Sequence, residues 1–479
     1  MLAVGNEQNA GLTNYGEEFF IGMMNYLFSD IRLVVAGKDD SSIQFSVETD
    51  SGVIYSGTTT ATNPVVVNLP RTQSTTSSAY TDRNKGVHIY TTGGGRVSVL
   101  AVNAALGEYL AYPCLNVSGG PYEYFAVSIG GRFNRDSEFL LVACEDDTHV
   151  TISPSQSVTL PQDAQSSTSP TISILAGSSH DILLNRMQTF LIGRAESDLT
   201  GTRIVSSKPL TVISGHECAS IPEYEPFCEP LAEHIPPTTT WGKSFLLAPF
   251  GRRDVGQYYR IIVSMDNTTF TVTCNDFSIS NTSTITGAGN FQEFFTSSTT
   301  YCSLISNKPV LVTQLGVGRH QDSDTSGDPI ISIVPSISQY DNNYVFSTLN
   351  SSDFDVNVIS VTVRPEHYQP SSIYLDAHPI TATWNIIYDS QHIIVGYGCH
   401  VNVSGGSIHT VRHSNPNGRL AVMVYGFSSS VGRSYGYLAG LKFTPLQFGK
   451  FLVAQHNNNF VYSSCVQKMM LPFQAPSWE

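Results

Sequence analysis

The chain is expected to be all-β, built from about four tandem β-sandwich-like or sheet units, with a propeller-like arrangement of those units as one option. Three observations lead there. Apolar and polar residues alternate along short runs, a two-part pattern of such runs recurs four times, and no segment keeps a 3.6-residue apolar stripe through a capped stretch. The best helical candidate, around Val102 to Ala111, is short and interrupted by Gly107.

The first parts of the pattern read IRLVVAGKDDSSIQFSV from Ile31, FLLVACEDDTHVTI from Phe139, RIIVSMDNTTFTVT from Arg260 and NVISVTVRPEHYQPSSIYL from Asn357. Val150 and Ile152 point one way while Thr151 points the other, and Phe270 and Val272 flank Thr271 in the same manner, the period of a half-buried strand. Glu145-Asp146-Asp147-Thr148 and Asp266-Asn267-Thr268 interrupt the runs with residues that bond their own backbone or tolerate left-handed dihedrals, so each first part is a hairpin. The second parts read GVHIYTTGGGRVSVLAVN from Gly86, GTRIVSSKPLTVISG from Gly201, YCSLISNKPVLVTQLG from Tyr301 and GSIHTVRHSNPNGRLAVMVYGF from Gly406. Pro209 and Pro309 are expected at the start of a strand, where a missing N–H does no harm to the ladder. Roughly a hundred residues per repeat exceeds a propeller blade or solenoid repeat, so each repeat is expected to form its own small sheet or sandwich. The boundaries read as an extension over 1–15, units over 16–128, 129–240, 241–340 and 341–442, and a tail over 443–479.

Composition narrows the partners. The formal charge is −14 in 479 residues, with charged residues at 13%, and no basic stripe is present to release phosphate counterions, so neither nucleic acid nor anionic lipid is expected. Arg252-Arg253 is the only adjacent basic pair and reads as a solvated loop. No run of eighteen apolar residues exists for a membrane span. The amino terminus lacks a basic and an apolar region, so the chain as given carries no signal peptide; it is either intracellular or a fragment whose export signal lies upstream.

Eight cysteines, Cys114, Cys144, Cys218, Cys228, Cys274, Cys302, Cys399 and Cys465, include no C-x-x-C and so do not suggest zinc. They permit four disulfides, of which Cys218 with Cys228 and Cys274 with Cys302 are the pairings offered; the alternative is buried free thiols. Five sequons place glycosylation candidates at Asn116, Asn267, Asn281, Asn350 and Asn402, with Asn267 on a hairpin tip. Gly177-Ser178-Ser179-His180-Asp181 holds hydrolytic side chains, but neighbours on a strand face opposite ways, so no relay forms. His409 and His413 would need a helix to share a metal, and the Asp322 to Asp328 run lacks the Glu of an EF-hand, so both read as structural, as does the Gly327-Asp328-Pro329 turn. No catalytic residue, metal or cofactor is expected. Tyr122-Glu123-Tyr124-Phe125, Tyr258-Tyr259 and Tyr435-Gly436-Tyr437 are the aromatic-rich candidates for a contact surface.

Longer strings carry a family resemblance. Asp198 to Arg253, with its Cys-bearing loop, Pro-Pro turn and Trp-Gly-Lys, resembles the central segment of the N-terminal domain of the IgG Fc-binding protein family. Ser326 to Phe346 resembles its Asp-Pro and Gln-aromatic stretch, and Tyr425 to Gly440 its closing Tyr/Gly-rich segment; the likeness spans about Gly16 to Leu441. It implies a secreted, disulfide-bonded, non-enzymatic binding module whose partner is a protein or glycoprotein of mucin, matrix or immunoglobulin-like kind. A carbohydrate- or calcium-dependent adhesion protein and a β-propeller hydrolase are the alternative readings.

Overall fold

A computed structural model describes residues 12–443 apart from 25–29, 76–83, 104–106, 116–121, 132–133, 162–170, 277, 322–326, 350–353 and 429–431, together with the pairs 455–456 and 459–460. The alternating runs are strands. Val150 and Ile152 are buried and Thr151 is half-buried on Thr148–Ser153, and the turn before it carries Asp147 in the left-handed region at φ 53°, as Asn267 does at φ 51° in the matching turn. Helix is confined, among the described residues, to three-residue 3₁₀ turns such as Thr238–Thr240. The described residues of the Val102 to Ala111 stretch are not helical: they belong to the strands Val97–Asn103 and Gly107–Ala111, which pair with each other.

One sandwich topology recurs four times, in strands running from Glu18–Ile21 to Gly107–Ala111, Tyr122–Phe125 to Glu229–His234, Gly242–Leu247 to Ile330–Val334, and Asn343–Ser347 to Ser434–Leu438. In every unit one sheet orders the fifth, second, seventh and eighth principal strands, and the other orders the first, sixth, third and fourth. In the third unit a single strand, Cys302–Gly316, serves as both sixth and seventh: its first residues pair with Thr268–Cys274 and its last with Gln257–Val263. Pro309 therefore sits inside a strand rather than at its start. It falls between Ser306, which pairs with Phe270, and Val310, which pairs with Val263, where the strand changes partners and the missing N–H breaks no ladder.

The eighth strand of each unit is a sheet edge, and these four edges meet. We name them β1 (Gly107–Ala111), β2 (Glu229–His234), β3 (Ile330–Val334) and β4 (Ser434–Leu438). β1 touches β2, β2 touches β3, β3 touches β4 and β4 touches β1, closing a ring. One apolar cluster carries residues of all four, including Leu110, Leu231, Ile331 and Leu438. The two ends of the chain lock the circuit: Leu12–Thr13 pairs with Lys442–Phe443, and Asn14 exchanges hydrogen bonds with Leu441 while Gly16 bridges to Val97 of the first unit. The segment after Thr444 forms a separate unit, in which Gln455–His456 pairs with Asn459–Phe460.

Candidate recognition site at the mouth of the ring

A sheet edge buried in a ring has backbone groups facing inward without a neighbouring strand, and leaving them unpaired is costly. Side chains supply partners. Glu108 of β1 accepts the N–H of Gly436 in β4, Glu233 of β2 accepts that of Ile333 in β3 at 3.0 Å, and His234 Nδ1 accepts that of Tyr112 at 3.0 Å. Burial raises the Glu108 and Glu233 carboxyls to about 8 and depresses the His234 imidazole to about 3, so near neutrality the acids are largely protonated and the imidazole is neutral. Space along this axis is small: a cavity of about 10 Å³ lies among Glu108, Leu231, Ile331 and Tyr435.

The ring strands begin at one end. Asp328, just before β3, donates its backbone N–H to Ser434 at the start of β4 at 2.5 Å, and Glu229, the first residue of β2, lies within electrostatic reach of Asp328, Arg433 and Glu108. Burial raises Asp328 to about 7 against the opposing pull of Arg319 and Arg253. Arg253 donates to the Val317 carbonyl at 2.9 Å and lies over the Phe427 ring, so this half of the Arg252-Arg253 pair is buried while Arg252 is exposed at φ 68°. The solvated-loop reading thus holds for one arginine alone, because the other is drawn inward by the loop carbonyls of the mouth.

Around this mouth the surface turns aromatic. The loop before β2 is clasped by Cys218–Cys228 and holds Tyr224, 68% exposed, and Phe227, 48% exposed. Phe227 stacks on His320 with centroids 4.9 Å apart, and the Arg319 guanidinium lies over its ring. Beneath them Glu225 is fully buried; it accepts from His320 Nδ1 at 2.8 Å and from the Gln321 amide at 3.1 Å. A side chain at Gly318 would strike Glu225, with a Cβ only 2.4 Å from its Cγ. Tyr258, within electrostatic reach of Tyr224, packs against the exposed Phe295 and extends the patch.

The other candidates fall elsewhere. Cys218–Cys228 and Cys274–Cys302 are bonded, the latter joining directly opposed strand residues, and Cys114–Cys144 ties the first unit to the second. Cys399 is a buried free thiol raised to about 12, and Cys465 lies outside the described residues. Asn267, Asn281 and Asn402 are exposed; Asn116 and Asn350 lie outside the described residues. Of the aromatic candidates, Tyr122, Tyr124, Phe125, Tyr259, Tyr435 and Tyr437 are buried, and only Tyr258 reaches the surface. Strands covered on both faces bury consecutive residues, which alternation alone does not anticipate. Asp181 bonds Thr151 at 2.5 Å, His409 bonds Asp376 at 3.0 Å and His413 bonds the His367 carbonyl at 3.0 Å, so each has a structural partner. Among the described residues no three His, Cys, Asp or Glu side chains are grouped to hold a metal. Tyr224, Glu225, Phe227 and Gln321 escaped the sequence reading, although an aromatic pair inside a short Cys-to-Cys loop was a usable signal.

Comparison with known proteins follows the same ground. The profile of a family described as IgGFc binding protein matches residues 107–426, from β1 to the strand before β4 in the fourth sandwich. The human IgGFc-binding protein is 24% identical over 264 residues, covering 53% of this chain, and the match spans 4% of that protein's length. Among solved structures, a biofilm-associated protein BSP domain aligns over 93% of this chain and 100% of its own at a TM-score of 0.14 and 8% identity. An elastase-activated Escherichia coli alpha-2-macroglobulin aligns over 88% of this chain and 43% of its own at 0.12 and 10% identity. Values that low establish no shared fold.

Proposed function

This chain belongs to the IgGFc-binding protein family, and from that premise we propose that it is an extracellular, non-enzymatic recognition module whose partner is a protein or glycoprotein. The observation that carries the reading is the extent of the family match, which takes in three of the four ring strands (β1, β2 and β3), the second and third sandwiches, the fourth as far as Gly426, and the aromatic mouth residues Tyr224, Phe227 and His320. Three disulfides fit an oxidising compartment. Among the described residues no helix is long and apolar enough to cross a membrane. The human relative's name specifies IgG Fc, and its Fc binding is one candidate activity here.

The test is direct binding of the oxidised chain, immobilised on a sensor surface, to purified IgG Fc and to a mucin-type glycoprotein. Saturable binding to at least one of them is expected. A folded, fully oxidised chain that binds neither would contradict the reading.

A further inference from the structure

Two features of the mouth stand apart from the rest of the surface. Tyr224 is a large aromatic side chain left 68% exposed on a loop that a disulfide holds in place. Planar polar groups are fixed beside it: His320 and Gln321 are both anchored from below by the buried Glu225, and the Tyr224 hydroxyl meets the Gln321 side chain at 3.5 Å. His320 engages Glu225 through Nδ1, and its side chain is 43% exposed. The Arg319 guanidinium lies over the Phe227 ring in this patch, among carboxyls that include the buried Glu225 and Asp328 and the exposed Glu223.

Each feature has a chemical meaning. The C–H groups on one face of a sugar ring pack against an aromatic face, and planar amide and imidazole groups match its vicinal hydroxyls. Guanidinium groups pair with carboxylate or sulfate through charge-assisted hydrogen bonds. A fixed aromatic with a few convergent polar groups is the general form of a small-ligand site. The Arg319 guanidinium beside Tyr224, His320 and Gln321 supplies the charge-assisted partner that an anionic ligand needs.

We infer that the patch formed by Tyr224, His320, Gln321 and Arg319 binds a negatively charged glycan, and that the module recognises its glycoprotein partner through that sugar. This rests on the family reading given above and specifies which part of the partner is held. Glu225 is a positioning residue: it touches no ligand and orients the two side chains that do.

The experiment applies the oxidised chain to an array of sialylated, sulfated and neutral oligosaccharides. Retention on sialylated or sulfated probes, weakened by added salt, is expected; the two arms identify whether carboxylate or sulfate is the anion. Tyr224→Ala should lower that signal by at least about tenfold, the loss typical of truncating an anchoring aromatic. Glu225→Ala should lower it as well, and Glu225→Gln, which still offers an acceptor, should restore most of it. Array signals unchanged by Tyr224→Ala would overturn the site. So would binding to enzymatically deglycosylated Fc or mucin equal to that of the untreated forms, an outcome that leaves the family reading intact. Failure to bind either intact glycoprotein or any glycan would overturn both.

Discussion

The axis of the ring and its mouth are a few residues apart and invert the usual distribution of side chains in opposite senses. The axis buries the carboxyls of Glu108 and Glu233, whereas the mouth exposes Tyr224 and Phe227. Buried acids and exposed large aromatics are each the informative departures from apolar-inside packing. Their partners separate the roles. Every described hydrogen bond of the Glu108 and Glu233 carboxyls comes from a ring-strand backbone N–H, so these acids stand in for a missing neighbouring strand. Tyr224 has one long contact to Gln321 and otherwise faces solvent, so its side chain adds little to the fold. The axis is scaffold and the mouth is available for contact.

That contrast predicts a graded set of effects on stability. The largest belongs to the axis: Glu233→Ala leaves the Ile333 N–H without its acceptor and opens a hole, and should cost about 3 kcal/mol or more in denaturant unfolding. Replacing Cys218 and Cys228 together by Ser removes the clasp between the two regions and should cost about 2–3 kcal/mol, given its sequence separation of 10. A cost for the clasp exceeding that for Glu233 would break the contrast.

A pH series sharpens it. Glu108 and Glu233 are raised from an ordinary 4.5 to about 8, so the folded chain holds protons that the unfolded chain has already released between those values. Their contribution is fully present below about 4.5 and is lost as pH rises through about 8, at up to roughly 1.4 kcal/mol per pH unit per group. His216 and His234, lowered from 6.5 to about 4 and about 3, act in the opposite sense and withdraw stability as pH falls below 6.5. The unfolding midpoint should therefore decline on the alkaline side of 6.5, and Glu108→Gln, neutral at every pH, should flatten the decline. The smallest effect is at the mouth, where Tyr224→Ala should change stability by no more than about 0.5 kcal/mol.

The sandwich repeat was legible because it is written locally. Asp147 and Asn267 take the left-handed turn positions that their residue types suggest, and Val150, Ile152, Phe270 and Val272 bury the face that alternation assigns them. The disulfides Cys218–Cys228 and Cys274–Cys302 close short separations and were legible for the same reason. The ring was not. It depends on Glu108 meeting Gly436 across 328 residues and Glu233 meeting Ile333 across 100, and nothing local marks a glutamate on a strand as the cap of a distant edge. Asp328 read as an ordinary Asp-Pro turn, and Arg253 as a solvated charge, because their burial comes from loops that converge only when the four units close.

Hydrogen exchange at the Ile333 and Gly436 amides tests the closed ring most directly, since these N–H groups sit on sheet edges and are covered only if side chains of neighbouring units cap them. The ring predicts exchange near pH 6.5 as slow as that of central strands such as Leu210–Ala219, quickening in alkaline solution as the capping acids ionise. Exchange as fast as that of an uncovered edge strand would contradict it.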